Sequence, residues 1–201
     1  KDAAVEGVYR QALDAVPVHE VVFSGYESER VESKIAALVV DGQLVDRAEG
    51  QNVSLEVICA ETCFYGESGG QAGDAGTIQV GDARIEVSDT QKPIGGLFVH
   101  RGVLVSGKIE VGASAVLEVD HEKRSATRRD HSATHLIHWA LREVLGSHAQ
   151  QKGSLVGPER LRFDFTHNSG LSAEEIQKIE KLVNEQVLLN NPIKTEVLTM
   201  E

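Results

Sequence analysis

The stretch "AVLEVDHEKRSATRRDHSATHLIHW", residues 115–139, changes character in its middle. The opening AVLEVD reads as a short strand. From Asp120 onward the pattern is helical. His131 and His135 lie four apart and His138 three further on, so a helix places the three imidazoles on one face. The fold turns on this junction: strands before it, mixed helix and strand after it.

Toward the N-terminus, residues 1–15 read as a helix, with Val5, Val8, Ala12 and Leu13 at helical spacing until Pro17 breaks the pattern. Beyond it come short β-like runs. KIAALVV, then Asp41–Gly42, then QLVDRA, is a hairpin with a type I′ turn sequence. SLEVICAE, GTIQVGD, RIEVSD, LFVHRGVLV and AVLEVD follow, punctuated by Gly, Asp and Ser. Such a series predicts a small barrel or sandwich. Toward the C-terminus, the histidine helix stops at Gly146, LRFDF reads as a strand, and SAEEIQKIEKLVNEQVLLN reads as a helix. Ser172 and Glu175 make a capping box, and Ile176, Ile179, Leu182 and Val183 its apolar stripe. Pro192 follows, and IKTEVL looks like a last strand. The expected class is therefore α+β: a linker helix over 1–16, a small β-barrel subdomain over 17–119, and an α+β subdomain over 120–201 bearing a His-x-x-x-His pair on its helix.

Composition bounds the reading. The 201 residues are 41% hydrophobic and 25% charged, ordinary for a globular chain. No apolar run is long enough to span a bilayer, and no signal peptide opens the sequence, so neither membrane nor secretion is expected. Two cysteines, Cys59 and Cys63, make no disulfide framework, and a cytoplasmic location is the default. The first residue is not Met and VLTME carries no closing feature, so a piece of a longer protein is expected. The formal net charge is −11, which argues against DNA as a partner. Yet residues 123–162 hold eight Lys and Arg against three Asp and Glu. A local phosphate contact fits that segment, as does a solvated helix face.

Three stretches could carry chemistry. His131 and His135 could grip a metal from one side, but two ligands do not complete a tetrahedral shell. Ser132 stands where a zincin has its general-base Glu, so that class is excluded. Cys59, Cys63, His148 and His167 are possible partners within the chain, although cysteines in an apolar strand are usually core. ETCFYGESGGQAGDAGTI, residues 61–78, is rich in open glycines but is neither a P-loop nor a dinucleotide fingerprint. Its Thr62, Glu67, Gly69, Gly70, Gln71 and Asp74 suit a pocket for a small polar ligand, or a tight barrel connection. QQKGSLVGPERLRFDF, residues 150–165, puts Gln151 and Lys152 before Gly153, where a Lys-Gly pair meets phosphate or simply forms a loop.

In order, FYGESGGQAGDAG, HSATHLIHWALREVLG and QKGSLVGPERLRFDF closely resemble the editing region of alanyl-tRNA synthetases. Free-standing alanyl-tRNA editing proteins are similar more distantly, and the editing domain of threonyl-tRNA synthetases only in the histidine half. The resemblance runs from Phe23 to Glu201. It implies hydrolysis of the ester of mischarged Ser-tRNA(Ala) and Gly-tRNA(Ala). The alternative is a module that in this truncated form is catalytically inert and serves only to bind the acceptor end. It implies zinc on His131 and His135, completed by a Cys-x-x-x-His pair that this sequence lacks and that is expected beyond residue 201. Gln151 matches a position near the attacking water. Thr62 is expected to read the serine hydroxyl, and Glu67, Gly69, Gly70, Gln71 and Asp74 to line the substrate pocket. Arg128, Arg129 and Lys152 are expected on phosphates of the tRNA(Ala) acceptor end. The rest of the parent synthetase is the other implied partner. Where the family has Thr-Pro-Phe-Tyr, this chain has Thr62–Cys63–Phe64–Tyr65. Two packed halves with Gly69–Gly70–Gln71 facing the histidines, and a metal shell left incomplete, complete the expectation.

Overall fold

The computed structural model describes residues 2–192, the side chains of residues 2–5 and 18 excepted. Strands β2 (Arg30–Val40), β4 (Arg47–Cys59), β8 (Val99–Glu110), β7 (Ala83–Gln91), β6 (Gly76–Val80) and β9 (Ser114–Val119) pair in that order. β9 returns to pair with the first half of β2, Arg30 opposite Glu118 through Lys34 opposite Ser114. The sheet therefore closes into a six-stranded barrel, which removes its edges. β3 (Gln43–Val45) folds back on the end of β2. Its turn residues Asp41 and Gly42 have φ of 51° and 75°, the two positive values a type I′ turn requires.

Leu55, Val57, Ile78, Ile85, Leu104 and Leu117 fill the barrel and are buried. A register shift between Ile35 and Ala37 turns β2 over, so that Ile35 and Leu38 point inward while Ala37 and Val39 face out. That outer face is covered by α1 (Asp2–Asp14), whose Tyr9 and Ala12 pack with Val16, Ile58 and Leu97–Val99. The Tyr9 hydroxyl donates to Glu56 at 3.0 Å. The N-terminal helix is thus a lid on the barrel wall as well as a connection. The periodicity anticipated Ala12 and Leu13 and overlooked Tyr9; the side chain of Val5 lies outside the described residues.

α2 (His121–Leu145) leaves the barrel directly after β9. Asp120 caps it, its carboxylate accepting from the Lys123 amide at 3.0 Å. The hairpin β10 (Gln151–Val156) and β11 (Leu161–Phe165) and the helix α3 (Ala173–Leu189) complete the second half. The Ser172–Glu175 capping box is formed, and Asn190 in the left-handed region ends α3. The core here is thin. Ala140, Leu141, Ala149 and Ile179 are buried, and an apolar groove of about 340 Å³ stays open between Ile137, Phe163, Phe165, Leu171 and Ile176. The last strand expected over IKTEVL lies outside the described residues.

Candidate functional site

Besides the contacts of Glu29 with His121 and Arg128, two junctions between the halves bear on the histidines of α2. The first is a buried ion pair. Arg124 and Asp74 are about 95% shielded. The Arg124 Nε donates to both Asp74 oxygens at 3.0 and 2.9 Å, one terminal nitrogen reaches the same carboxylate, and the guanidinium also donates to the carbonyls of Gly25 (2.9 Å) and Cys63 (2.7 Å). The Tyr65 amide donates to Asp74 at 2.6 Å. Every charge-bearing atom of the pair is satisfied, as burial demands. Below it, Thr127 and Thr134 turn their hydroxyls back to the carbonyls of Lys123 and Asp130 (3.0 and 2.8 Å), so their methyl groups can pack.

The second junction is a backbone bridge. Ser68–Gln71 makes a two-residue turn with Gly69 at φ +60° and Gly70 at φ +85°, closed by amide bonds between Ser68 and Gln71 of 3.0 and 3.2 Å. The chain after it runs parallel to β10: the Val156 amide donates to the Gly70 carbonyl at 2.8 Å, and the Ala72 amide to the Val156 carbonyl at 2.9 Å. The barrel half thereby adds one parallel bridge, of two backbone hydrogen bonds, to the edge of the β10–β11 hairpin. A Cβ on Gly70 would lie 2.5 Å from the Ser154 carbonyl oxygen, so both its φ and its contact require glycine.

From this bridge the Gln71 side chain meets α2. Its Oε1 accepts from the His131 Nδ1–H at 2.6 Å. His131 and His135 stand one helical turn apart with ring centroids 5.1 Å apart and planes 25° apart. Both are exposed at the residue level. Partial burial, and then the neighbouring His135, push the His131 pKa below its ordinary value, which favours the neutral imidazole. Gln151, at the start of β10, donates through Nε2 to the Ser154 Oγ at 3.2 Å. Ser154 touches the glycine turn on its other side, so Gln151 joins the cleft through it. Lys152 is the extra residue where the β10–β11 register shifts, and it is exposed. Neither the strand β10 nor Ser154 was foreseen; the register shift interrupts the alternation by which a strand is recognised.

The other expected residues are dispersed. Glu67 is exposed and accepts from the Gln91 side-chain amide at 2.6 Å. Arg128 lies on the outer side of α2, 3.1 Å from Glu29, and Arg129 is exposed beside it. His138 leans on Phe163 with its Nε2 buried and without a hydrogen-bond partner, apart from the His131–His135 pair. His148 and His167 pair with each other at 3.0 Å. Cys59 and Cys63 lie in the barrel core, where burial pushes their thiols up to about 12 and about 11. Among the described residues no three His, Cys, Asp or Glu side chains gather as a metal site.

Two expectations are corrected. Asp74 offers no free oxygen to a ligand, because its carboxylate is buried against Arg124 and Tyr65. Thr62 is fully buried at the end of β5 (Glu61–Thr62), which runs parallel to β1 (Val22–Phe23). Its Oγ1 lies 2.7 Å from the His100 Nε2 and accepts from the Phe64 amide at 3.0 Å. The His100 Nδ1 lies 2.8 Å from the Val57 carbonyl, which can only accept, so Nδ1 carries the ring proton. Burial keeps that ring neutral, its pKa lowered to about 4. The Thr62 hydroxyl therefore spends its one proton on the His100 Nε2 and has none left for a serine ester.

The family model described as tRNA synthetases class II (A) matches residues 4–123, the N-terminal helix, the barrel and the first residues of α2. The chain is 53% identical over 211 aligned positions to the alanine–tRNA ligase of Sorangium cellulosum, an alignment covering 99% of the chain and 23% of that protein. It is 50% identical to the alanine–tRNA ligase of Mesorhizobium japonicum and 49% to that of Chelativorans sp., over the whole chain and 22% of each relative. The chain thus spans less than a quarter of the length of these relatives. With well over half of its residues matched by the model, it belongs to the tRNA synthetases class II (A) family.

Proposed function

We propose that this chain is the editing module of an alanine–tRNA ligase, which hydrolyses the ester of Ser-tRNA(Ala) and Gly-tRNA(Ala) in the cytoplasm. The observation that carries the reading is the 2.6 Å bond from Gln71 of the glycine turn to His131, which brings two of the three family-like motifs into one cleft, with the third tied to it through Ser154. The need for such an activity is physical. A pocket for alanine rejects glycine and serine by only about 1–3 kcal/mol, on the order of 10–200-fold, so a second hydrolytic site is required for accuracy.

The donor set suits half of a zinc shell. On His131 the Nε2 is the ligand atom available, since its Nδ1 is tied to Gln71, and the His135 imidazole is the second ligand. Zinc, when bound there with ligands from the remainder of the synthetase, supplies Lewis-acid or positioning chemistry at the ester. Gln151 carries no charge, so its amide orients water or ester and does not abstract a proton. Gly69 leaves open space beside the turn, and Gly70 and Gln71 form the wall. We assign acceptor-end phosphate contacts to Arg129 and Lys152, both exposed, and to Arg128 once it leaves Glu29.

The reading is tested by release of labelled serine and glycine from mischarged tRNA(Ala), using the intact synthetase. The His131→Ala, His135→Ala double variant should lose both activities, and full activity in it would remove the histidine pair from the mechanism. The second reading, a platform that binds the acceptor end without hydrolysis, is favoured by the absence of a third metal-ligating side chain at the pair among the described residues. Binding of an acceptor-stem hairpin by this chain with no turnover, beside turnover by the intact synthetase, would select it for this chain.

A further inference from the structure

Gln71 is fixed on three sides before its side chain does anything. Its amide is bonded within the turn, its neighbours Gly70 and Ala72 are bonded to Val156, and Gly70 is wedged against Ser154. The side-chain oxygen is therefore delivered to His131 from a stiff backbone. An amide oxygen can only accept, so the His131 Nδ1 must carry the proton, and Nε2 is left with a bare lone pair. In water, imidazole prefers the opposite arrangement, with the proton on Nε2. The neighbouring ring, 5.1 Å away, has no hydrogen-bond partner among the described residues that selects its tautomer.

We propose that Gln71 is a positioning residue: it holds His131 in the Nδ1–H tautomer and turns Nε2 into the cleft as a preformed acceptor for a divalent transition metal. This deepens the zinc reading above and rests on it for the identity of the acceptor's partner, but not for the tautomer itself. The two ends of the bond come from different halves, Gln71 from the barrel loop and His131 from α2. Orientation of the histidine is thus conditional on the bridge between the glycine turn and β10. A ligating imidazole ordinarily has such a partner on its other nitrogen, and loss of the partner typically weakens metal affinity by about 10–100-fold.

The experiment is NMR on this chain, using two-bond nitrogen–proton correlations of the imidazole rings, which distinguish Nδ1–H, Nε2–H and doubly protonated histidine. His131 is assigned through His131→Ala, and spectra are taken near pH 8. The expected result is Nδ1–H for His131 in the unaltered protein. Gln71→Met should shift it toward Nε2–H, and Gln71→Glu, whose carboxylate also accepts from Nδ1, should restore Nδ1–H. Gly70→Val, which obstructs the docked turn, should act like Gln71→Met, with the barrel signals of Ile85 and Leu104 unchanged as proof of folding. Titration with Zn2+ alone should perturb the Nε2 resonance of His131, with half-saturation at about tenfold higher concentration in Gln71→Met. An Nε2–H His131 in the unaltered protein, or a tautomer indifferent to Gln71→Met, overturns the proposal. A Gln71-dependent Nδ1–H tautomer supports it even where Zn2+ leaves both rings of this chain untouched; the zinc reading itself falls only where Zn2+ leaves the His131 ring of the intact synthetase untouched.

Discussion

The barrel half and the helical half solve the burial problem differently. Each of the six barrel strands is flanked on both sides, and the interior is closed by fully buried Ile, Leu and Val. The helical half has two strands of its own, a groove lined by Phe163, Phe165 and Ile176, and exposed Val187, Leu188 and Leu189 at the end of α3. Its two-stranded sheet is bridged at one edge by Gln71 of the other half. The barrel is thus a platform that holds loops still, and the helical half is a set of side chains that depends on the platform for its geometry. The Gln71–His131 bond joins a loop of the barrel half to a side chain of the helical half.

The strongest way to break that relation is at the buried ion pair. Asp74→Asn removes the compensation for Arg124 and should cost about 3–5 kcal/mol in chemical denaturation. A loss below about 1 kcal/mol would mean that the halves are held elsewhere. Next comes a contrast of cores. Ile85→Ala inside the barrel should cost about 2–5 kcal/mol, whereas Ile179→Ala, beside the open groove, should fall at or below the lower end of that range. Equal losses would erase the distinction between the two halves.

A smaller effect sharpens the account of Thr62. Thr62→Val strands the Phe64 amide and the His100 Nε2 and should cost about 1–3 kcal/mol. Deacylation of seryl and glycyl esters should fall together, where a serine reader would affect only the first. The His100 ring adds a pH signature. Its pKa is lowered from the ordinary 6.5 to about 4, so the unfolded chain takes up a proton at a higher pH than the folded one. Stability from this group is complete above 6.5 and is lost as pH falls from 6.5 toward about 4, with a slope of at most about 1.4 kcal/mol per pH unit. His100→Phe should flatten that part of the stability curve. The smallest structural effect is expected at Gln151. It is exposed, so Gln151→Ala should change stability by less than about 0.5 kcal/mol while lowering deacylation. A matching loss of stability would demote it to a structural role.

Much of the local structure was legible because its causes are local. Asp41–Gly42 specifies its turn, Ser172 and Glu175 specify the start of α3, and the spacing of His131 and His135 specifies their adjacency. What the sequence concealed depends on pairs distant along the chain. Arg124 was lost among the basic residues of its helix; only its alignment with Thr127 and Thr134 on one face hinted at burial, and its partner lies fifty residues earlier. Thr62 looked like a polar pocket residue because nothing near it in sequence names His100 as its partner. Tyr9 on α1 answers to Glu56 and Arg101, again on another element. Gln71 of the glycine turn lies against His131 sixty residues away, a pairing that periodicity does not carry.

The return of β9 to β2 has a consequence for the order of assembly. Closing the barrel joins Arg30 to Glu118 across most of the strand-forming chain, a long loop to close and a slow event compared with winding α2 or turning the β10–β11 hairpin. The fast elements therefore wait for the slow one. Until the barrel closes, the glycine turn has no fixed place, β10 has no bridge to it, and His131 has nothing to tell its two nitrogens apart. The chain cannot present an ordered cleft before its platform is finished.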